Sequence, residues 1–173
     1  MSGRVTPVPY LLADDGVVPN SALPLLVYAS ALPSGSGPTA FEDLFAAHAW
    51  TGAWRNGIYP SPHYHSTSHE VLGIYRGQAQ VRFGGESGVV LDVAAGDVVV
   101  IPAGVAHQRV SATAALGVVG AYPKGCSWDL CRCAPGERPA ADRAIAAVPL
   151  PPCDPLYGPG GPLVALWAPV ARP

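Results

Sequence analysis

His63, His65, Glu70 and His107 are residue types that bind metals, set at spacings that can bring them to one point. From Gly57, five residues lead to His63, one to His65, four to Glu70 and six to Gly77. Eighteen residues later a second run begins at Gly96, with Pro102, Gly104 and His107 following at intervals of five, one and two. Three imidazoles and a carboxylate form a donor set for Fe, Mn, Ni, Cu or Zn. The expectation is one divalent transition metal per chain, held by His63, His65, Glu70 and His107. A lone histidine on a strand is usually packed or exposed rather than a ligand. Here three histidines and a glutamate stand in register with several glycines and a proline, which makes coincidence a poor explanation.

The elements around these residues must supply the convergence. If His63 and His65 lie on a strand, they share a face about 7 Å apart along the backbone. Two nitrogens can then reach one ion at roughly 2.1 Å each. Ser66-Thr67-Ser68 reads as a turn that lets Glu70 open the next strand, and Gly77 suits a turn of positive φ. Gly96-Asp97 marks another turn before the β-branched strand Val98–Ile101, and Pro102-Ala103-Gly104 turns the chain again toward His107.

Elsewhere the chain reads as strands with few helices. Tyr10–Leu12 and Leu25–Ala31 suggest short strands, and further strands follow from Trp54 to Tyr122 with turns at Gly84-Gly85 and Glu86-Ser87-Gly88. Phe41–Trp50 has helical periodicity in Phe41, Leu44, Phe45 and His48, with Thr39 as a candidate cap. Asp142–Val148 is a second short helix by this reading. Leu163, Leu166 and Trp167 predict that the Pro- and Gly-rich tail packs on the barrel. The 173 residues suit one domain with a substantial core.

The two runs, at 57–77 and 96–111, resemble the two motifs of the cupin superfamily. The first fits at each defined position. The second departs only at its end, where Ser111 stands in place of a frequent Asn. The flanks extend the likeness to the YjlB-like bacterial cupins: Asp14–Asn20, Leu23–Tyr28, His63–Ser66, His69–Gly73, Tyr122-Pro123, Trp128-Asp129, Asp154–Gly158 and Gly161–Leu163. The resemblance implies an all-β double-stranded β-helix, a jelly-roll barrel with one or two short helices and the metal inside its mouth. It implies a single cupin domain over 1–173, with the N-terminal strands of 1–38 and the tail of 149–173 packing on the barrel.

Four ligands leave two adjacent octahedral positions for water, dioxygen or a chelating substrate. With iron this resembles the cupin dioxygenases, so an oxidoreductase acting on a small oxygen-rich molecule is the expected function. With Mn, Ni or Zn the same ligands suit an isomerase, lyase or decarboxylase, with Glu70 as a possible base. A non-catalytic cupin that binds a small ligand is the third alternative. Arg109 shares parity with His107 and is a candidate clamp for a substrate carboxylate. His69 should turn away from the metal by strand alternation, as should Tyr64. The direction of Tyr59 is obscured by Pro60 and Pro62. His48 reads as a packed or exposed helical residue, and Trp50, Trp54, Trp128 and Trp167 as core or interface aromatics.

Composition narrows the partners. A net charge of −2 gives no footprint for nucleic acid or anionic membrane. No apolar run reaches the roughly 18 residues of a membrane span. Met1–Tyr10 lacks a basic stretch followed by an apolar one, which predicts a cytoplasmic protein. Cys126, Cys131, Cys133 and Cys153 then read as reduced and structural, with a second metal site or redox pair as the weaker alternative. Charged residues are only 13% of the chain, and barrel edges need covering, so a homodimer is expected.

Overall fold

Strand alternation builds two sheets from this sequence, and a computed structural model describes residues 3–169 of them. Nine strands form: β1 (Val8–Tyr10), β2 (Leu25–Tyr28), β3 (Trp50–Asn56), β4 (Glu70–Arg76), β5 (Gln78–Phe83), β6 (Val89–Ala94), β7 (Val98–Ile101), β8 (His107–Ala112) and β9 (Gly117–Pro123). A six-stranded sheet runs β1-β2-β7-β4-β9-β3 and a three-stranded sheet runs β6-β5-β8. All of these pairs are antiparallel. The result is an all-β jelly roll.

Between the sheets lie Leu72, Ile74, Val99, Ile101 and Val118 from the large one and Ala79, Val81, Phe83 and Val93 from the small one. The outward-facing partners Val71, Val98, Val100, Val119 and Ala121 are buried too, in a second apolar layer. This explains why Val98–Ile101 is apolar without alternation: both of its faces are covered. Helix α1 (Pro38–Ala47) lays Phe41 and Phe45 on the outer face of the large sheet. Gly73 has no side chain because the Phe41 ring occupies its place: a Cβ there would lie 2.3 Å from Phe41 Cδ1.

The C-terminal segment completes the outer layer, with Leu156, Leu163 and Trp167 buried against the same sheet face. Asp154 organises it from a fully buried position. One carboxylate oxygen accepts from the Leu156 and Tyr157 amides at 2.8 and 3.1 Å; the other accepts from the Leu163 amide at 3.0 Å and the Tyr28 hydroxyl at 2.6 Å. Burial and this carboxylate push the Tyr28 phenol above its usual range.

Several expectations shift. The described residues hold three short helices rather than one or two, because Pro162–Leu166 forms α3 after α2 (Ala140–Ala147). Helix α1 begins at Pro38 with Gly37 as its N-cap, so Thr39 lies inside it; its hydroxyl accepts from Arg55 at 3.2 Å. Trp50 opens β3 instead of closing that helix. The segment carrying His63 and His65 is not a strand, since Pro60 and Pro62 cannot donate to a ladder. It is held by two isolated bridges, His63 to His107 and Tyr64 to Cys131.

Candidate metal centre

Backbone pairing brings the two motifs together. The His107 amide donates to the His63 carbonyl at 2.9 Å, and the His63 amide returns the bond at 3.3 Å. The Gly104 amide donates to the His65 carbonyl at 2.8 Å. Gly104 has φ +92°, and a Cβ there would lie 2.2 Å from the Asn20 carbonyl oxygen, so only glycine fits the turn that delivers His107. Glu70 opens β4, paired with Ile101 at the end of β7.

His63, His65 and His107 are all buried, and one nitrogen of each lies within 4.8 Å of the others. This group does not extend to Glu70, whose Oε2 nevertheless stands 3.2 Å from His65 Nε2 and 3.3 Å from His107 Nε2. Each imidazole has a carbonyl oxygen at Nδ1: Ser61 for His63 at 3.0 Å, Asp129 for His65, and Val105 for His107 at 3.4 Å. A carbonyl accepts only, so Nδ1 carries a proton, and in the neutral ring Nε2 presents a lone pair. Two lone pairs then face the Glu70 carboxylate, and the buried Glu70 Oε2 has no hydrogen-bond partner. A cation between them would resolve this crowding of acceptors. These residues therefore fit a divalent transition metal.

Burial and the neighbouring His107 hold His63 down to about 4, so it is neutral near pH 7. Burial opposes ionising Glu70, but His107 and His65 outweigh it and keep the carboxyl below its usual range. Burial also lowers His65, and the adjacent Glu70 carboxylate more than compensates, leaving it raised. His63 thus stands neutral, as ligation requires, while an arriving ion would displace the proton that Glu70 favours on His65.

The histidines lie at the foot of a cavity of about 240 Å³ lined also by Trp54, Arg55, Asn56, Ile58, Tyr59, Leu72, Tyr122, Trp128 and Leu130. Tyr59 packs edge-on to His63 at 5.3 Å between centroids, and Trp128 edge-on to His65 at 5.6 Å. Trp128 stacks on Tyr122, and Trp54 Nε1 donates to the Tyr122 hydroxyl at 2.9 Å. Burial and the Glu70 carboxylate push the Tyr122 phenol above its usual range.

Arg109 does not line this cavity. Strand β8 leaves the interior directly after His107: burial fades through Gln108 and Arg109 to exposed Val110, Ser111 and Ala112. Arg55 reaches the rim instead. His69 is buried and turned away, its Nδ1 accepting from the Ala103 amide at 2.9 Å and its ring against Trp167. Tyr64 also points away, donating to Glu137 at 3.0 Å. His48 lies at the end of α1 with Nδ1 3.0 Å from the Pro155 carbonyl. Trp50 and Trp167 are core residues, whereas Trp54 and Trp128 are cavity walls.

Asp129 is a support that local spacing did not single out. Its carboxylate accepts from the Ser66 amide at 2.6 Å, the Ser66 hydroxyl at 2.5 Å and the Thr67 amide at 3.2 Å, while its carbonyl takes the His65 Nδ1 proton. One residue after the barrel thus holds the loop and the ring of His65. The four cysteines are free thiols, and no cysteine joins a metal-ligating group among the described residues. Burial, with Glu137 and Asp15 nearby, raises Cys133 to about 11, and burial with Asp129 raises Cys131.

A cupin-domain family model matches residues 54–116, the span that carries all three histidines and Glu70. Among solved structures, an 11S allergen of Cocos nucifera aligns with TM-score 0.40 and 20% identity over 54% of this chain and 31% of its own. Acireductone dioxygenase from Bacillus anthracis, solved with cadmium in its active centre, aligns with TM-score 0.38 and 14% identity over 50% of this chain and 59% of its own. The chain spans about a fifth of an 11S globulin from Wrightia tinctoria, at TM-score 0.37, 21% identity and 44% of this chain. The protein named "Uncharacterized protein YjlB" of Bacillus subtilis (strain 168) is 40% identical over 91% of this chain and 94% of its own length. Identity at that level along nearly the whole chain, with a cupin domain at its centre, places this protein in the YjlB-like family of cupins.

Proposed function

We propose that this cupin is a metal-dependent oxidoreductase, an Fe(II) dioxygenase in kind, that acts on a small oxygen-rich molecule. One observation carries the reading: three buried imidazoles converge at the foot of an open cavity, with a buried Glu70 oxygen beside the Nε2 atoms of His65 and His107. His63, His65 and His107 would hold the ion, with Glu70 as the fourth donor. Iron held there would supply electron transfer between substrate and dioxygen. The carbonyls of Ser61, Asp129 and Val105 orient the rings. Glu70 is the one carboxylate on the cavity wall, and only on release from the ion could it serve as a base. At about 240 Å³ the cavity is smaller than the roughly 300–1,000 Å³ that encloses a drug-sized ligand, which supports a small substrate.

The test is dioxygen uptake by iron-loaded protein across small diols, hydroxy acids and keto acids, compared with protein loaded with manganese, nickel or zinc. Substrate-dependent uptake with iron alone supports the reading. Conversion of substrate without uptake, by manganese, nickel or zinc protein, would replace it with isomerase, lyase or decarboxylase chemistry. Saturable binding without turnover under any metal would make the protein a ligand-binding cupin.

We also infer one cupin domain over residues 1–173 that pairs as a cytoplasmic homodimer. Exposed Val8 lies on edge strand β1, with exposed Leu11 just beyond it, and an uncovered edge favours pairing. No helix among the described residues is long and apolar enough to cross a membrane. Light scattering at the mass of one chain would refute the dimer.

A further inference from the structure

We propose that the cavity selects an uncharged planar aromatic ring bearing adjacent oxygen donors, gripped between Tyr59 and Trp128; the oxygen-donor part rests on the metal reading above. Two aromatic side chains are exposed among the described residues, Tyr59 at 57% and Trp128 at 51%, and both line this one cavity. Aromatic surface of that size is usually buried, so its concentration at one mouth marks a binding surface. Each ring stands against a histidine, Tyr59 beside His63 and Trp128 beside His65. Trp128 uses one face on Tyr122, with 18° between the planes. Ile58, Leu72 and Leu130 supply apolar walls.

The charges point the same way. Arg55 is the one Lys or Arg on the cavity wall, and Glu42 holds it bidentately at 2.6 and 2.7 Å. No free cation is left among the lining residues to bind a substrate carboxylate. Glu70 adds negative charge at the foot, which disfavours anions that do not reach the metal.

The experiment is calorimetric titration of zinc-loaded protein, which cannot turn over a redox substrate, with catechol and with oxalate. Trp128→Ala and Tyr59→Ala should each weaken catechol about 2- to 12-fold, leave oxalate unchanged and leave zinc content unchanged, while Trp128→Phe retains catechol affinity. Equal losses for both ligands, or unchanged catechol binding in both alanine variants, would overturn the proposal. If zinc does not bind, the metal reading fails by itself. Catechol binding to metal-free protein then decides the aromatic grip: loss in Trp128→Ala supports it, and insensitivity refutes it.

Discussion

Replacing Asp129 with alanine tests whether a residue outside both histidine motifs sets the geometry of His65. The carboxylate receives the Ser66 amide at 2.6 Å and the Ser66 hydroxyl at 2.5 Å, with a longer bond from exposed Thr67 at 3.2 Å. Hydrogen bonds to a charged group are worth roughly 1.5–3 kcal/mol each when buried. Discounting for the partial exposure of the site, and giving little weight to Thr67, the loss should be about 2–4 kcal/mol of folding stability. Metal affinity should fall about 10- to 100-fold as the His65 loop loosens, the usual cost of removing a support behind a ligand. Asp129→Asn keeps an acceptor for the Ser66 amide and should cost about 1 kcal/mol. The donors from Ser66 outweigh burial and hold the carboxyl below 3.8. Its contribution is therefore present above that value and lost only as pH falls through the lower folded value, so the wild-type and alanine difference should be flat from pH 5 to 8. Urea unfolding of metal-free protein and zinc affinity by chelator competition measure the two effects. An Asp129→Ala protein with wild-type stability and wild-type zinc affinity would mean that Asp129 does not hold the His65 loop.

Three further outcomes follow from buried groups. Asp154→Ala strands the Leu163 amide and the Tyr28 hydroxyl in the outer apolar layer and should lower stability by about 3–5 kcal/mol in urea melts; a change below about 1 kcal/mol would contradict the network. His69 is held at about 4 by burial, below its unfolded 6.5, so the unfolded chain takes up its proton first and stability drops as pH falls from 6.5 toward 4. Metal-free wild type should lose about 3 kcal/mol relative to His69→Leu across that window, and parallel pH profiles would sink the claim. Gly73→Ala pushes a methyl into the Phe41 ring and should cost about 1–3 kcal/mol, checked by thermal melts.

The parts of the molecule legible in the sequence are those whose signal is local. The turns at Gly77 and Gly96 are glycines with φ +75° and +104°, as their place between strands predicts. Strand β7 and the tail contact of Trp167 follow from apolar runs that must be buried somewhere. The spacing from His63 to His107 was enough to anticipate their approach, though the mechanism differs: an irregular segment pinned to β8 replaces a regular strand, because prolines precede it. Arg109 failed as a cavity residue because parity says which face a residue takes, and not how far the strand stays inside the barrel. Asp129 and Trp128 were invisible as site residues because they reach His65 across some sixty positions of sequence, a distance no periodicity spans. Trp54 meets Tyr122 over a similar separation, and only the pairing of β3 with β9 brings their rings to the cavity wall.

Metal content per chain decides whether His63, His65, Glu70 and His107 form a metal site. Protein purified without oxygen, beside its His107→Ala variant, would be assayed by elemental mass spectrometry. Close to one transition metal per chain is expected, iron foremost, falling away in the variant while the fold is retained by circular dichroism. Wild-type protein that takes up no transition metal even on reconstitution, or a variant that keeps its full complement, would contradict that expectation.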